Sequence, residues 1–500
     1  MKILLASSEV HPYSKTGGLA DMVGALGKAL ARAGHQVRIV TPLYRCVRER
    51  FPQIKRGNFR FALPLGASRE QADLWELEVE KGLTVCFVDH PGFFDRASLY
   101  QEDDISYPDN AGRFAFFSKC VANLARYLPW RPDVVHVNDW QAALVPALML
   151  HQRRTEGWGN QPPTCLTIHN LAYQGTFPPK EFALTNLPGE FFSPESAEFY
   201  GQMSFLKTGI VFADAITTVS PRYSREITTE EFGDGLDGLL RKRRDRLFGI
   251  LNGVDCEEWN PSDDPFLPRP YSAARLAGKS TNKLALQTEL GLPVSADTPL
   301  FGTISRLAEQ KGVDIQLAAL EEMLSTNMQF VLLGSGSPAY ERGYHELARR
   351  FPSKVTVRIG YDEALSHRIE AGCDFYLMPS RFEPSGLNQM YSLRYGTIPI
   401  VRVTGGLDDS VIDFREDPAL ANGIKFREYS ARALSQAIRK ALAIYERPAL
   451  LRRFRQTAMK SDFSWEQTVA GYLKIYQAAK RFRTGCDWKT VARPVKVFPG

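Results

Sequence analysis

The segment SEVHPYSKTGGLAD, at the end of the first apolar run, carries the first residues whose types and spacing suit chemistry. Gly17 and Gly18 let a backbone approach a ligand closely, and a helix beginning there presents N–H groups to an anion. Lys15 adds a mobile positive charge at the same place. No Gly-Lys-Ser/Thr ending follows, so this is not a Walker loop, and the full G-x-G-x-x-G fingerprint is missing. Taken alone, the loop reads equally as an ordinary strand-to-helix turn.

A second set lies in the other half of the chain. TISRLAEQKGVD places Arg306 at a strand's mouth and Lys311 at the entry to the next helix. A planar guanidinium fork and a compact ammonium can together grip a diphosphate. Each charged hydrogen bond of this kind contributes roughly 1.5–3 kcal/mol. Further on, PSRFEPSGLNQMYSLRYG puts Glu383 on a loop, followed by Pro384, Ser385 and Gly386 at an expected helix start. Proline suits a first helical turn, whose N–H groups can hold a phosphate, while Glu383 can accept sugar hydroxyls. IPIVRVTGGLDD then repeats the Gly-Gly turn at Thr404-Gly405-Gly406. Four anion-suited turns at strand ends, spread over both halves, exceed what folding alone asks for.

These turns need strands and helices to position them. Short apolar runs (ILLASS, VRIVTP, VCFVDH, DVVHVND, CLTIHN, AITTVS, then LFGTIS, FVLLGSG, VTVRIGY, FYLMPS, IPIVRVTGG) alternate with longer helical patterns. Continuous apolar strands spaced by helices predict parallel sheets covered on both faces. Leu19, Met22, Val23, Leu26 and Leu30 form one helical stripe, with Gly34 as a stop. WNPSDDPFLPRPY reads as the start of an interdomain linker. A helix from about Trp465 to Phe482 follows the last strand and is expected to pack back on the first domain. The predicted class is α/β, with two doubly wound Rossmann-like domains at 1–254 and 255–464 and a C-terminal helix and tail at 465–500. In such sheets ligands sit outside the carboxyl ends of strands.

Length and composition agree. A chain of 500 residues exceeds the roughly 250–300 that one hydrophobic core usually serves. Its 62 basic and 56 acidic residues leave a net charge of +6, which suits an anionic small substrate. The run Arg241-Lys242-Arg243-Arg244 has no interleaved aromatics and reads as a solvated helix face, so no nucleic-acid partner is expected. The seven scattered cysteines contain no Cys-x-x-Cys pair and predict reduced thiols in a cytoplasmic protein, with neither disulfide frame nor zinc site. MKILLASSEV reads as a first strand and not a signal peptide, and no run approaches a membrane span.

The motifs together resemble one family. KTGGLAD, VHVNDWQAAL, TIHNLAYQG, TTVSPRYSREI, GILNGVD, SRLAEQKG, GYDEALSHRIEAGCDFYLMPS and RFEPSGLNQMYSLRYGTIPIVRVTGGL are similar, in order, to bacterial glycogen synthase and plant starch synthase. The resemblance implies the GT-B fold, with an active site between two facing domains. It also implies transfer of glucose from ADP-glucose, or UDP-glucose in some members, to the non-reducing end of an α-1,4-glucan with retention. No cofactor, metal or membrane is implied.

Carried over by motif, Lys15, His169, Arg306, Lys311 and Glu383 are the catalytic set. Arg306 and Lys311 would hold the diphosphate, Glu383 and His169 the glucose, with Lys15 and Gly18 near phosphates and sugar. Asn252 would lie near the donor, together with Ser385, Gly386 and Leu387. Tyr361 would stack on the base, a contact worth roughly 1–3 kcal/mol. Asp139 and Trp140, which follow His136 and Asn138 at a strand end, would shape the acceptor side. Tyr107, with Asp109 and Asn110, is a further acceptor candidate. Ser385 stands where the family often has cysteine, and Tyr391 where many retaining transferases have a second glutamate.

Three rival readings are weighed against this. Gly334-Ser335-Gly336 superficially suggests a dinucleotide-dependent oxidoreductase, but the third glycine and the spaced acid are missing. A sucrose synthase-like transferase with a small acceptor is a nearer rival, and a catalytically silent glucan-binding protein a more distant one.

Overall fold

The computed structural model describes residues 1–103 and 105–484; Cys486 and the tail expected at 485–500 lie outside them. The chain divides into two compact units, one of residues 1–219, 224–250 and 465 onward, the other of residues 220–223 and 251–464.

The first unit is built on a nine-stranded sheet. Its strands are β1 (Lys2–Ala6), β2 (Gln36–Pro42), β3 (Lys55–Leu65), β4 (Ser68–Glu80), β5 (Leu83–Asp89), β6 (Val134–Asn138), β7 (Thr164–Ile168), β8 (Ala215–Thr218) and β9 (Leu247–Gly249). The spatial order is β9-β8-β7-β6-β1-β2-β5-β4-β3. The central strands are parallel, with Ile3 opposite both Val37 and Val134. The six apolar runs of this half all form strands, and they are buried on both faces as continuous runs require.

The sheet is not wholly parallel. β3 and β4 are antiparallel to each other, and β4 is antiparallel to β5. Their alternation of buried and exposed side chains leaves no continuous apolar run to find. An edge that can leave one face wet suits that alternation. α1 (Gly18–Arg32) buries the predicted stripe Leu19, Met22, Val23, Leu26 and Leu30, and Gly34 beyond it takes a positive φ of 86°. α2 (Asn110–Tyr127) is buried along nearly its whole length.

The second unit holds six parallel strands: β10 (Leu300–Ile304), β11 (Gln329–Gly334), β12 (Val355–Ile359), β13 (Phe375–Met378), β14 (Ile398–Arg402) and β15 (Ile424–Phe426). Their order, β12-β11-β10-β13-β14-β15, is the 3-2-1-4-5-6 arrangement of a dinucleotide-type sheet. Strand order reverses between β10 and β13, and that crevice is where such sheets bind ligands. In the first unit the reversal falls between β1 and β6. The second unit's helices include α3 (Val313–Met323), α4 (Glu363–Gly372), α5 (Asn388–Arg394) and α6 (Gly405–Ser410).

The proline-rich stretch from Trp259 to Tyr271 is irregular, as expected, but it is not a loose linker. Tyr271 is buried and donates its hydroxyl to the Tyr395 carbonyl at 2.7 Å. Asp264, also buried, accepts from Tyr395 Oη at 2.5 Å. These two side chains anchor the stretch to the second unit.

The last described helix, α7 (Trp465–Thr484), packs on the first unit. Tyr476 Oη meets His136 Nδ1 at 2.9 Å, and Arg483 Nη1 donates to Asp214 Oδ2 at 2.9 Å. His136 is thereby fully used, since its Nε2 meets Thr167 Oγ1 at 2.6 Å, and burial pushes its pKa down to about 3. Among the described residues no helix is long and apolar enough to cross a membrane.

Candidate active site

In the first unit the candidate residues gather at the carboxyl ends of β1, β6 and β7. Beyond β1 the chain runs through Glu9 to Lys15 and into α1. Lys15 is exposed, with Nζ 2.7 Å from Asp21 Oδ1 in the first turn of α1. The loop N–H groups are not all free for an anion, as the sequence led us to expect. The buried Glu9 carboxylate accepts from Thr16 N–H at 2.5 Å, from Gly17 N–H at 3.2 Å and from the Thr16 hydroxyl at 2.7 Å. Tyr100 donates its hydroxyl to the same carboxylate at 2.7 Å. Glu9 therefore shapes the loop and takes two of its donors, leaving the Lys15 ammonium and the helix start to face solvent. A Cβ added to Gly17 or Gly18 would meet nothing within 4 Å, so packing does not demand glycine at either position. Sequence reading missed Glu9 and Tyr100. An acid inside the apolar N-terminal run was the available signal.

At the end of β6, Asp139 has φ 53°, a left-handed backbone uncommon for anything but glycine. Such strain tends to gather at functional sites. Its Oδ1 accepts the His169 N–H at 2.7 Å. Burial lifts the Asp139 carboxyl to about 7, against the opposing pull of the His169 and Asn170 N–H groups. Asn138 Nδ2 donates to the Ala6 carbonyl at 3.1 Å, which turns its Oδ1 toward His169 Nε2 at 3.0 Å. An amide oxygen can only accept, so His169 carries its proton on Nε2 and its lone pair on Nδ1. Burial pushes the His169 pKa down to about 3, and the ring is neutral at physiological pH. Asn138 thus sets the tautomer of the imidazole, and Asp139 holds the backbone that carries it.

Trp140 packs against Phe114, Phe177 and Phe205 at centroid distances of 5.0, 5.7 and 6.2 Å. Tyr107 is less available than its sequence suggested. The Arg96 and Arg113 guanidinium groups lie 4.6 and 5.1 Å from its ring centroid. Asp109 takes both terminal nitrogens of Arg96, and buried Asn110 accepts from Arg113 Nη1 at 2.6 Å. This cluster ties Tyr107, Asp109 and Asn110 into the wall of the unit.

In the second unit, Arg306 and Lys311 follow β10 and Glu383 follows β13, on either side of the strand-order reversal. Lys311 Nζ lies 2.6 Å from Glu383 Oε2, and the Ser380 hydroxyl donates to the same oxygen at 3.0 Å. A carboxylate beside phosphates is electrostatically awkward, and the ammonium resolves that difficulty. Arg306 is exposed on the wall of a pocket of about 590 Å³, whose lining includes Glu309, Ser335, Gly336, Ser337 and Tyr340. Tyr361 lies beyond β12 and is 83% exposed. Asn252 is buried, and its Oδ1 has no hydrogen-bond partner among the described residues.

Two expectations here need correction. Pro384, Ser385 and Gly386 do not open a helix; α5 begins at Asn388 with Leu387 as its N-cap. Gly386 has φ 68°, a turn conformation that cannot continue into helix, so the start is delayed. Thr404-Gly405-Gly406 is also not simply an anion turn. Gly406 N–H donates to the Glu383 and Pro384 carbonyls, each at 3.1 Å. A Cβ on Gly405 or Gly406 would fall 2.0 Å from the carbonyl oxygen of Glu383 or Ser385. The second Gly-Gly turn is the seat on which the Glu383 loop rests.

Residues 2–242 match the starch synthase catalytic domain, and residues 292–460 match glycosyl transferases group 1. The chain is 48% identical to the glycogen synthase of Anaeromyxobacter dehalogenans strain 2CP-C, over 95% of this chain and 99% of that one. It is 44% identical to that of Moorella thermoacetica, over 98% and 99%. The chain belongs to the glycogen synthase family. Among solved structures, the catalytic domain of Arabidopsis thaliana starch synthase IV, bound to ADP and acarbose, aligns with a TM-score of 0.86 and 36% identity, covering 96% of this chain and 99% of that one. Thermosynechococcus elongatus sucrose-phosphate synthase aligns with a TM-score of 0.57 and 19% identity, over 97% and 99%, and shares the fold. This member of the glycogen synthase family therefore has the GT-B fold and is a hexosyltransferase acting on nucleotide-sugar and glucan substrates.

Proposed function

We propose that the chain transfers glucose from ADP-glucose to the non-reducing end of an α-1,4-glucan, with retention, as a step of glycogen synthesis. The observation that carries this reading is the Lys311–Glu383 pair at the strand-order reversal of the second unit, with Arg306 on the loop that follows β10. Arg306 and Lys311 bind the diphosphate, and the charge growing on it in the transition state strengthens those contacts. Glu383 accepts glucose hydroxyls, the loop at Ser385, Gly386 and Leu387 lies along the phosphates and sugar, and Tyr361 stacks on the base. Asn252 offers its buried oxygen to the donor. The second unit is the nucleotide-sugar side and the first the acceptor side.

His169 Nδ1 accepts a hydroxyl of the transferred glucose, in the tautomer that Asn138 fixes. Lys15 and Gly18 complete the donor's surroundings, while Asp139, Trp140 and the Tyr107 cluster shape the acceptor path. Double displacement needs a carboxylate against the anomeric carbon. Glu383 is committed to Lys311, and Asp139 to the His169 backbone. Front-face transfer is the better fit, with the leaving phosphate oxygen taking the acceptor's proton. The protein then contributes orientation and charge stabilisation. The six cysteines of the described residues form no disulfide, which suits the reducing cytoplasm.

The test is elongation of maltooligosaccharide by the purified chain, with ADP-glucose and UDP-glucose side by side and fructose as a rival acceptor. Faster elongation with ADP-glucose supports the proposal. Faster use of UDP-glucose reassigns the donor, and transfer to fructose alone overturns the acceptor.

A further inference from the structure

Among residues not assigned to transfer, the second unit brings together one buried imidazole and two exposed carboxylates. Glu258, Glu363 and His367 each offer a ligand atom, all within 4.8 Å of one another, and they are the one such group among the described residues. Glu363 opens α4 and His367 lies four residues on, so both side chains share one face of the helix. Glu258 comes from the turn ahead of Trp259.

His367 is 1% exposed, and its ring is held on every side. One face stacks on Trp259 at 3.9 Å and 14°, and the Phe266 edge closes at 5.0 Å. Trp259 is itself stacked on Tyr391 at 3.8 Å and 6° on its other side. Nδ1 meets Asp264 Oδ2 at 2.8 Å. That contact puts the Nδ1 proton on the carboxylate side and leaves the lone pair on Nε2. Yet Nε2 is buried with no hydrogen-bond partner among the described residues. A carboxylate–histidine pair of this geometry orients a metal-binding imidazole and raises its basicity.

We propose that Nε2 of His367 and the carboxylates of Glu258 and Glu363 form a divalent-cation site, with zinc(II) or a similar transition ion as its occupant. One imidazole with two carboxylates is a donor set for such ions, whereas calcium and magnesium prefer oxygen alone. Three tetrahedral ligands at about 2.1 Å from zinc lie about 3.4 Å apart, so the two exposed glutamates need to close by only about 1.4 Å. The buried partner is already fixed, and the exposed partners are the ones that adjust. A bound ion clamps the segment carrying Glu258 to α4, beside the Trp259–Tyr391 stack. It takes no part in glucosyl transfer.

The full-length protein, stripped with a chelator, is titrated with zinc chloride by calorimetry while its melting temperature is followed. One tight zinc per chain and a rise in melting temperature are expected. Glu363→Gln and Glu258→Gln should each weaken that site at least about tenfold and remove the rise. Both residues are exposed, so both variants fold without metal, where His367→Ala would leave a hole. Cobalt(II) in place of zinc should give visible ligand-field bands in the parent chain that change in each variant. Zinc affinity equal to the parent's in both variants, or no tight zinc in the parent chain, overturns the site.

Discussion

Both units carry a Thr-Gly-Gly turn between a strand and a helix: Thr16-Gly17-Gly18 ahead of α1, and Thr404-Gly405-Gly406 at the start of α6. In the first, side chains at the glycines would project into open space, and a buried carboxylate from Glu9 supports the loop from behind. In the second, the glycines lie against the carbonyls of Glu383 and Ser385, about twenty residues upstream, so close that no side chain fits. One pair is required by the protein's own packing, and the other is left clear by it. Identical residues at equivalent places thus do different work: the second turn holds up a loop, and the first keeps its glycines clear of the protein's own packing.

The largest effect belongs to the groups that the second turn supports. Lys311→Ala and Glu383→Ala should each lower elongation turnover by about 100-fold or more, in the range seen when one transition-state contact is lost. Both should keep the far-ultraviolet dichroism of the parent, and near-parental turnover in either would sink their assignment. Gly406→Ala comes next. Its Cβ would collide with the Ser385 carbonyl, an overpacking cost of typically about 1–3 kcal/mol. Urea denaturation should register that loss, together with a fall in turnover as the Glu383 loop shifts.

Glu9→Gln should be somewhat milder in stability, about 1–3 kcal/mol at most, since an amide offers one acceptor oxygen to donors that now share two. Its effect should appear as a raised KM for the nucleotide sugar. Gly18→Ala sharpens the contrast most directly. Its melting temperature should match the parent's while KM for the donor rises several-fold; a stability loss like that of Gly406→Ala would erase the distinction.

The smallest effect concerns pH. Because the Asp139 carboxyl is lifted from 3.8 to about 7 in the folded chain, the native state binds its proton more tightly than the unfolded one. The stability it contributes is complete below about 3.8 and is lost as pH rises through about 7. Melting temperatures of Asp139→Asn measured between pH 4 and 8 should fall less steeply than the parent's. Parallel slopes would remove Asp139 as the cause.

Much of this architecture was legible in the residues. Each of the eleven apolar runs singled out in the sequence forms a strand, because burial on both faces writes a continuous signature. β3 and β4 went unread because a half-wet hairpin alternates polar and apolar side chains and mimics surface loop. Residue types singled out Lys311 and Glu383, which the structure pairs, and Arg306, which lies on the loop after β10. What stayed hidden was conformation: the left-handed backbone of Asp139, the delayed start of α5, and which Gly-Gly pair lies against a distant carbonyl. Those depend on contacts between segments far apart in sequence, which no local pattern records.

The return of α7 to the first unit has a consequence for synthesis. On a translating ribosome the first unit is the earlier to emerge, yet its sheet lacks the Tyr476–His136 and Arg483–Asp214 contacts until almost the whole chain has been made. The second unit, nearly continuous from Leu251 to Ser464, has all its strands by then. The usual order, in which domains mature from the amino terminus onward, is inverted here. A chain that stops short of its last helix yields a finished second unit behind an unfinished first.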